Sequence, residues 1–320
     1  MSSDQPQKSK SRRLIGLLTN LFGWIGSLFF LILIWKQAAS VDWTVLTVEW
    51  NNLVLAFVLL FVGQALQSQL CWITQNALGY VVNPMTIHRV WFFSQIAKYI
   101  PGSLWQLAAR TGFYLQRGVP LGIGSAATLW ELVATIAGSL VIGIFSFTLG
   151  PNGYWLTFGA LLLVLLSSAF FMRWPWHLLI WLRVGLARRM IYALAQAKER
   201  KGMILKLLLL STGVWLVIGV GFYFLARAFG VNSQFTAWNA IVIFNVAYSI
   251  GFLVIVAPSG LGVREVILSL FLAAYFPPLT LAAFVLIARL WWISAEGLNV
   301  LMAAVGKLLE RHIALTAVEE

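Results

Sequence analysis

The chain has 320 residues, of which 61% are hydrophobic and only 10% charged, with a mean hydropathy of +0.88. Soluble domains carry about 25% charged residues, so a soluble globular fold is excluded and an all-α polytopic membrane protein is expected. The net charge of +12 would point to nucleic acid in a soluble protein; here much of it sits in the N-terminal tail and one linker, where the positive-inside rule accounts for it, and no nucleic-acid partner is expected.

Residues 1–13 form a polar tail carrying Lys8, Lys10, Arg12 and Arg13. The apolar run that follows, 14–35, exceeds a signal-peptide core of about 7–15 residues and reads as an uncleaved first span. Full spans of about 20 apolar residues are expected at 14–35, 53–76, 121–148, 154–173, 203–228 and 279–306. Two regions interrupt the series. Residues 84–116 are broken at Pro101-Gly102, and residues 236–275 are broken between Pro258 and Gly262. Each reads as two helical arms joined by a Pro/Gly turn. Were both to cross the membrane fully, hydropathy would give about eight spans.

Basic residues set the expected orientation. The tail 1–13 and an amphipathic linker, 174–202, with Arg183, Arg188, Arg189, Lys198, Arg200 and Lys201, are assigned to the cytoplasm, as is the tail 307–320. The connections around 42–52, 151–153 and 230–234 are nearly free of basic residues and are assigned outside. Both termini are then cytoplasmic if each broken region enters and leaves on one side. Most of the 16 Trp lie near the ends of apolar runs and are read as interfacial anchors.

The halves are alike in plan. Glu131 follows Pro120 by the same interval, 11 residues, that separates Arg289 from Pro278. Each half reads span, span, broken hairpin, span: repeat one about 14–148, repeat two about 154–306. Three full spans per half invert the second copy, the plan of many transporters, whose sites lie at the repeat interface.

Thr128, Glu131 and Thr135 share one face of the third span; Arg289, Glu296 and Asn299 share one face of the last; Gln64, Ser68 and Gln75 share one of the second. The Gln and Thr positions read as interhelical polar glue. For Glu131, Arg289 and Glu296 the cost of burying charge points to pairing or cavity lining, and a Glu131–Arg289 pair across the repeat interface is expected from their matched offsets. Lys98, Arg110 and Arg117 flank the first break and Arg264-Glu265 follows the second. Arginine grips phosphate with two parallel hydrogen bonds, and a helix start after a Pro/Gly turn offers free amides. The resulting path-lining set is Lys98, Pro101, Gly102, Arg110, Glu131, Pro258, Gly260, Gly262, Arg264, Glu265, Arg289 and Glu296. Arg264 and the amides after Gly260 are assigned a lipid phosphate, with Glu265 orienting Arg264 or neutralising it when the site is empty. The glycines allow close approach to the headgroup and positive φ.

No cofactor or metal is expected. Cys71 is the lone cysteine, His88, His177 and His312 lack metal-ligand spacing, and neither Gly122-Ile123-Gly124 nor Gly260-Leu261-Gly262 sits in a Walker-type loop.

The stretch Pro258-Ser259-Gly260-Leu261-Gly262-Val263-Arg264-Glu265 resembles the Pro-x-Gly-x-Gly-x-x-Glu signature of the lysylphosphatidylglycerol synthase transmembrane-region family, the flippase-like domain proteins. Lys98-Tyr99-Ile100-Pro101-Gly102 with Trp105 is similar to a second signature of part of that family. Ser259 stands where Gly or Ala is often found. The resemblance covers about residues 14–306. It implies a lipid translocase, flippase or scramblase-like, in the cytoplasmic membrane, moving a phospholipid or lipid-linked sugar, and not an enzyme: no soluble aminoacyl-transferase domain fits in this chain. The expected partners are a membrane lipid with an anionic headgroup and envelope-biosynthesis proteins. The alternatives are a membrane-embedded lipid or glycosyl transferase, for which Asp42 and Glu49 supply outer-loop acids, and a non-transporting subunit of an envelope-assembly system.

Overall fold

The structure, a computed structural model, describes residues 47–99, 105–145, 200–253 and 258–319, together with Ile32, Lys36 and Ala39. The expected spans 14–35 and 154–173, the tail 1–13, the linker up to residue 199 and the Pro101-Gly102 turn lie outside the described residues.

Eight α-helices and no strand are present among the described residues. Helix α1 (Trp50–Ala77) is an apolar run free of proline and of charged residues, and it ends where Gly79, at φ 85°, turns the chain back on Asn76. Asn83 opens α2 (Pro84–Gln95): its side chain accepts the Met85 amide at 2.8 Å, and Pro84 fills the first helical position. A 3₁₀ turn (Ile96–Tyr99) follows, then α3 (Trp105–Leu115) and α4 (Leu121–Gly143), which Pro120 precedes. The second half supplies α5 (Arg200–Ala228), α6 (Ala237–Leu253), a 3₁₀ turn (Pro258–Gly260), α7 (Val263–Leu272) and α8 (Pro278–Glu319).

Among the described residues, four helices are long and apolar enough to cross a membrane: Trp50–Ala77, Leu121–Gly143, Gly202–Ala228 and Thr280–Gly306. They coincide with four of the expected spans. One boundary shifts: α4 ends at Gly143 rather than 148, while α8 runs on as helix beyond its span, Thr280–Gly306, to Glu319.

The α1–α5 pair is the spine. Without a hydrophobic force between helices in lipid, close packing of small residues holds such a pair together. A Cβ on Gly63 would lie 2.5 Å from Ile218, and one on Gly221 would lie 3.2 Å from Leu59. Near one end the Glu49 amide donates to the Ala228 carbonyl at 2.9 Å, whereas Leu70 packs with Met203 and Leu207 at the other, so the two helices are antiparallel. The α2–α3 arm pair leaves from the Ala77 end and the α6–α7 pair from the Ala228 end. The two hairpins thus start at opposite ends of the spine, and their 3₁₀ turns touch. Helix α4 packs on α5 and α6; α8 packs on α1 and α2. An aromatic core of Trp215, Phe222, Phe244, Phe284, Trp291 and Trp292 fills the space between α5, α6 and α8.

Candidate functional site

The two turns meet beside a small polar cavity of about 40 Å³. At about 10–15 Å³ for each water centre, this is room for a few waters. Its wall takes Gln67 from α1, Gln95 and Lys98 from the first hairpin, and Gln106 and Arg110 from α3. Glu131 and Thr135 on α4 face it, as do Tyr248 on α6 and Ser259, Gly260 and Arg264 around the second turn.

Among the described residues, three ion pairs lie at or beside it. Arg110 pairs with Glu131, with side chains 2% and 5% exposed. Trp91 Nε1 donates to the same carboxylate at 2.9 Å, and Arg110 Nε donates to Ser94 Oγ at 3.0 Å. Lys98 pairs with Glu296, which also accepts the Tyr99 hydroxyl and Trp292 Nε1, each at 2.6 Å. Arg289 pairs with Glu265. Buried charges survive when paired and hydrogen-bonded in this way. Lys98 and Arg110 therefore turn inward instead of reaching for the headgroup layer; Arg117 is exposed and donates to the Phe113 carbonyl at 3.1 Å, outside the site.

Two expectations are overturned. Glu131 does not meet Arg289: each reaches the second arm of the hairpin in its own half, Arg110 on α3 and Glu265 on α7. Nor does Glu265 orient Arg264. One of its oxygens binds Arg289, and the other accepts the Gly262 amide at 2.7 Å, closing the first turn of α7. That amide is consequently not free for a phosphate.

Arg264 is left with no carboxylate among the described residues. Its guanidinium lies 4.5 Å from the centre of the Tyr248 ring and 5.5 Å from that of Trp292, and its Nε is shielded and without a hydrogen-bond partner. Aromatic faces hold a cation in place and leave its donors available. Positive φ at Ser259 (51°), Gly260 (69°) and Gly262 (84°) aims the chain into α7 at this point. The close approach that Gly260 allows is to protein backbone: a Cβ there would sit 2.7 Å from the Gly251 carbonyl oxygen. Pro258 lies in the 3₁₀ turn that begins this bend.

Several site residues carry no signal in the sequence. Trp91, Trp215, Trp291 and Trp292 are buried, so the reading of tryptophans as interfacial anchors fails for four of the nine described. Trp91 and Trp292 instead donate to Glu131 and Glu296, the carboxylates that hold Arg110 and Lys98. Thr135, read as glue, faces the cavity with its hydroxyl unpartnered. Gln64 does act as glue: it donates to the Trp292 carbonyl at 3.4 Å and accepts from Asn299 at 3.3 Å. Glu49, an acid weighed for a transferase, accepts the Asn52 amide at 2.6 Å.

Residues 23–293 match the family described as lysylphosphatidylglycerol synthase TM region. The chain belongs to this family. It is accordingly a multi-pass membrane protein related to lipid handling. The match takes in both hairpins, Glu131 and Arg289; Glu296 lies just past its end. No curated protein matches the chain.

Proposed function

We propose that this protein is a lipid translocase of the cytoplasmic membrane, flippase or scramblase-like. The turns part to widen the cavity between them, which then takes the anionic headgroup of a phospholipid or lipid-linked sugar, and the acyl chains stay in lipid. The observation that carries this reading is Arg264: a cation on the cavity wall, braced by Tyr248 and Trp292, whose neighbours Lys98 and Arg110 are both neutralised. A charge at membrane depth without a counter-ion is costly unless something binds it.

The architecture supports transport over catalysis. Helices α1 to α4 and α5 to α8 correspond one to one, and the packing of α4 on α5 and α6 mirrors that of α8 on α1 and α2. We read this as an inverted repeat, with the hairpins re-entering from opposite faces and the site at the pseudo-twofold axis. Basic residues at 8–13 and 183–201 put both termini in the cytoplasm, so the first hairpin enters from that side.

The test is translocation of a fluorescent anionic phospholipid in proteoliposomes, read by quenching with a membrane-impermeant reductant. Arg264→Ala should slow it by about ten-fold or more while thermal stability holds, because no carboxylate is orphaned. Arg264→Lys keeps the charge but loses the two-pronged grip, and should fall between. Parental rates in a stably folded Arg264→Ala variant would refute the assignment. Product formation from a labelled donor lipid, without translocation, would favour a transferase.

A further inference from the structure

The charges around the cavity do not cancel. Lys98, Arg110 and Arg264 face it as cations, and Glu131 and Glu296 are the carboxylates that hold the first two. The Glu265–Arg289 pair beside Arg264 is neutral as a unit. Among the described residues one positive charge remains. The turn residues 100–104 and 254–257 and the apolar runs 14–35 and 154–172 add none, since they contain no Asp, Glu, Lys, Arg or His. Buried Arg89 packs against Gly306 and does not line the cavity.

The rest of the polar wall is amide and hydroxyl: Gln67, Gln95, Gln106, Thr135 and Ser259. Such groups both donate and accept, which suits the hydroxyls of a polyol or sugar and offers no counter-charge. A ligand with one negative charge leaves the site neutral. A second negative charge would find no partner in a low-dielectric setting, and a cationic head would meet Arg264 and Lys98 as a like charge.

Building on the translocase reading, we infer that the cavity selects lipids whose head is a single phosphodiester bearing a polyol or sugar, and discriminates against diphosphate-linked and phosphomonoester lipids. Two sources supply that chemistry, a glycerophospholipid with a glycerol head and a polyprenyl phosphosugar. The selectivity is set by the excess charge, so changing that excess should change the preference. Glu296→Gln raises it by one, and Arg264→Gln brings it to zero.

The experiment compares four fluorescent probes at trace level in phosphatidylcholine proteoliposomes. They are phosphatidylglycerol, a polyprenyl phosphosugar, a polyprenyl diphosphosugar and phosphatidic acid. The unmodified protein should move one or both of the first two at least about ten-fold faster than the last two. Which of the first two moves identifies the source. Glu296→Gln should narrow or reverse that ratio, and Arg264→Gln should abolish it. The unmodified protein's own ratio decides the matter even if a variant fails to fold. Equal rates for singly and doubly charged probes overturn the charge rule and leave translocation standing. Movement of none of the four overturns the translocase reading and this inference with it.

Discussion

In the first hairpin the cation Arg110 reaches Glu131 on α4; in the second, the anion Glu265 reaches Arg289 on α8. Glu131 and Arg289 stand equally far along helices that follow Pro120 and start at Pro278, so the two halves place an ion pair at corresponding sites with the signs exchanged. Attraction is indifferent to which side carries which sign. The pairs therefore read as braces that tie each hairpin to the last span of its half. What the halves do not share is Arg264, next in sequence to the brace residue Glu265 and without a paired carboxylate among the described residues. Comparing the hairpins separates the charge used for structure from the charge left over for a ligand.

The largest effects should come from breaking the braces. Arg110→Leu strands Glu131 among buried groups, a loss of about 3–5 kcal/mol. Arg289→Leu strands Glu265, which is 15% exposed against 5% for Glu131 and keeps the Gly262 amide, so its loss should be smaller. Unfolding in detergent gives both numbers. The double variant Arg110→Leu/Glu131→Leu should recover most of the loss, because no lone charge remains. A larger cost at Arg289 than at Arg110 would break the ranking.

A medium effect sharpens the contrast in the turns. Gly260→Ala needs φ near 69° and puts a Cβ 2.7 Å from the Gly251 oxygen, so a loss of about 1–3 kcal/mol is expected in the same unfolding assay. Ser259→Gly removes a left-handed non-glycine residue and should stabilise by up to about 1 kcal/mol. Opposite signs at adjacent positions, read in lipid-free detergent, would mark backbone strain as the cause, even though Ser259→Gly also takes a hydroxyl from the cavity wall.

The four described spans and the helical arms on either side of the two breaks were legible because apolar length and Pro/Gly breaks are local properties of the chain. The pairing of charges was not. Helical spacing places Glu131 and Arg289 on faces but does not say which neighbour each face meets. Their equal offset marks equivalence, and under a pseudo-twofold relation equivalent residues touch only if they lie on the axis. The offset was real and the inferred contact was wrong. Trp91 and Trp292 were missed for a related reason. A tryptophan in an apolar run looks the same whether it anchors at a headgroup or donates its N–H to a buried carboxylate, and only the partner, far away in sequence, distinguishes the two. The place of Arg264 beside the second break was legible, because a charge directly after a Gly-x-Gly break is a local signal.

The smallest effects belong to the polar seams. Helix α1 meets α8 through Gln64 and Asn299, whose Oδ1 has no partner. Helix α4 meets α6 through Ser139, which donates to Asn245 Oδ1 at 3.0 Å and accepts from Ser249 at 2.8 Å; Asn245 also donates to the Ile241 carbonyl at 2.8 Å. Interhelical hydrogen bonds in membranes average about 0.6 kcal/mol, because the separated helices find other partners. A double-mutant cycle on Gln64 and Asn299 should return coupling at or below that value, since the contact is 3.3 Å long and leaves one acceptor unmet. The cycle on Ser139 and Asn245 should return more, as each residue there holds a second bond that the other's truncation loosens. The order matters for mechanism. If α8 must slide on α1 for the hairpin turns to part, its seam has to be the weaker of the two. Coupling that is stronger at Gln64–Asn299 than at Ser139–Asn245 would assign the moving element to α4 instead.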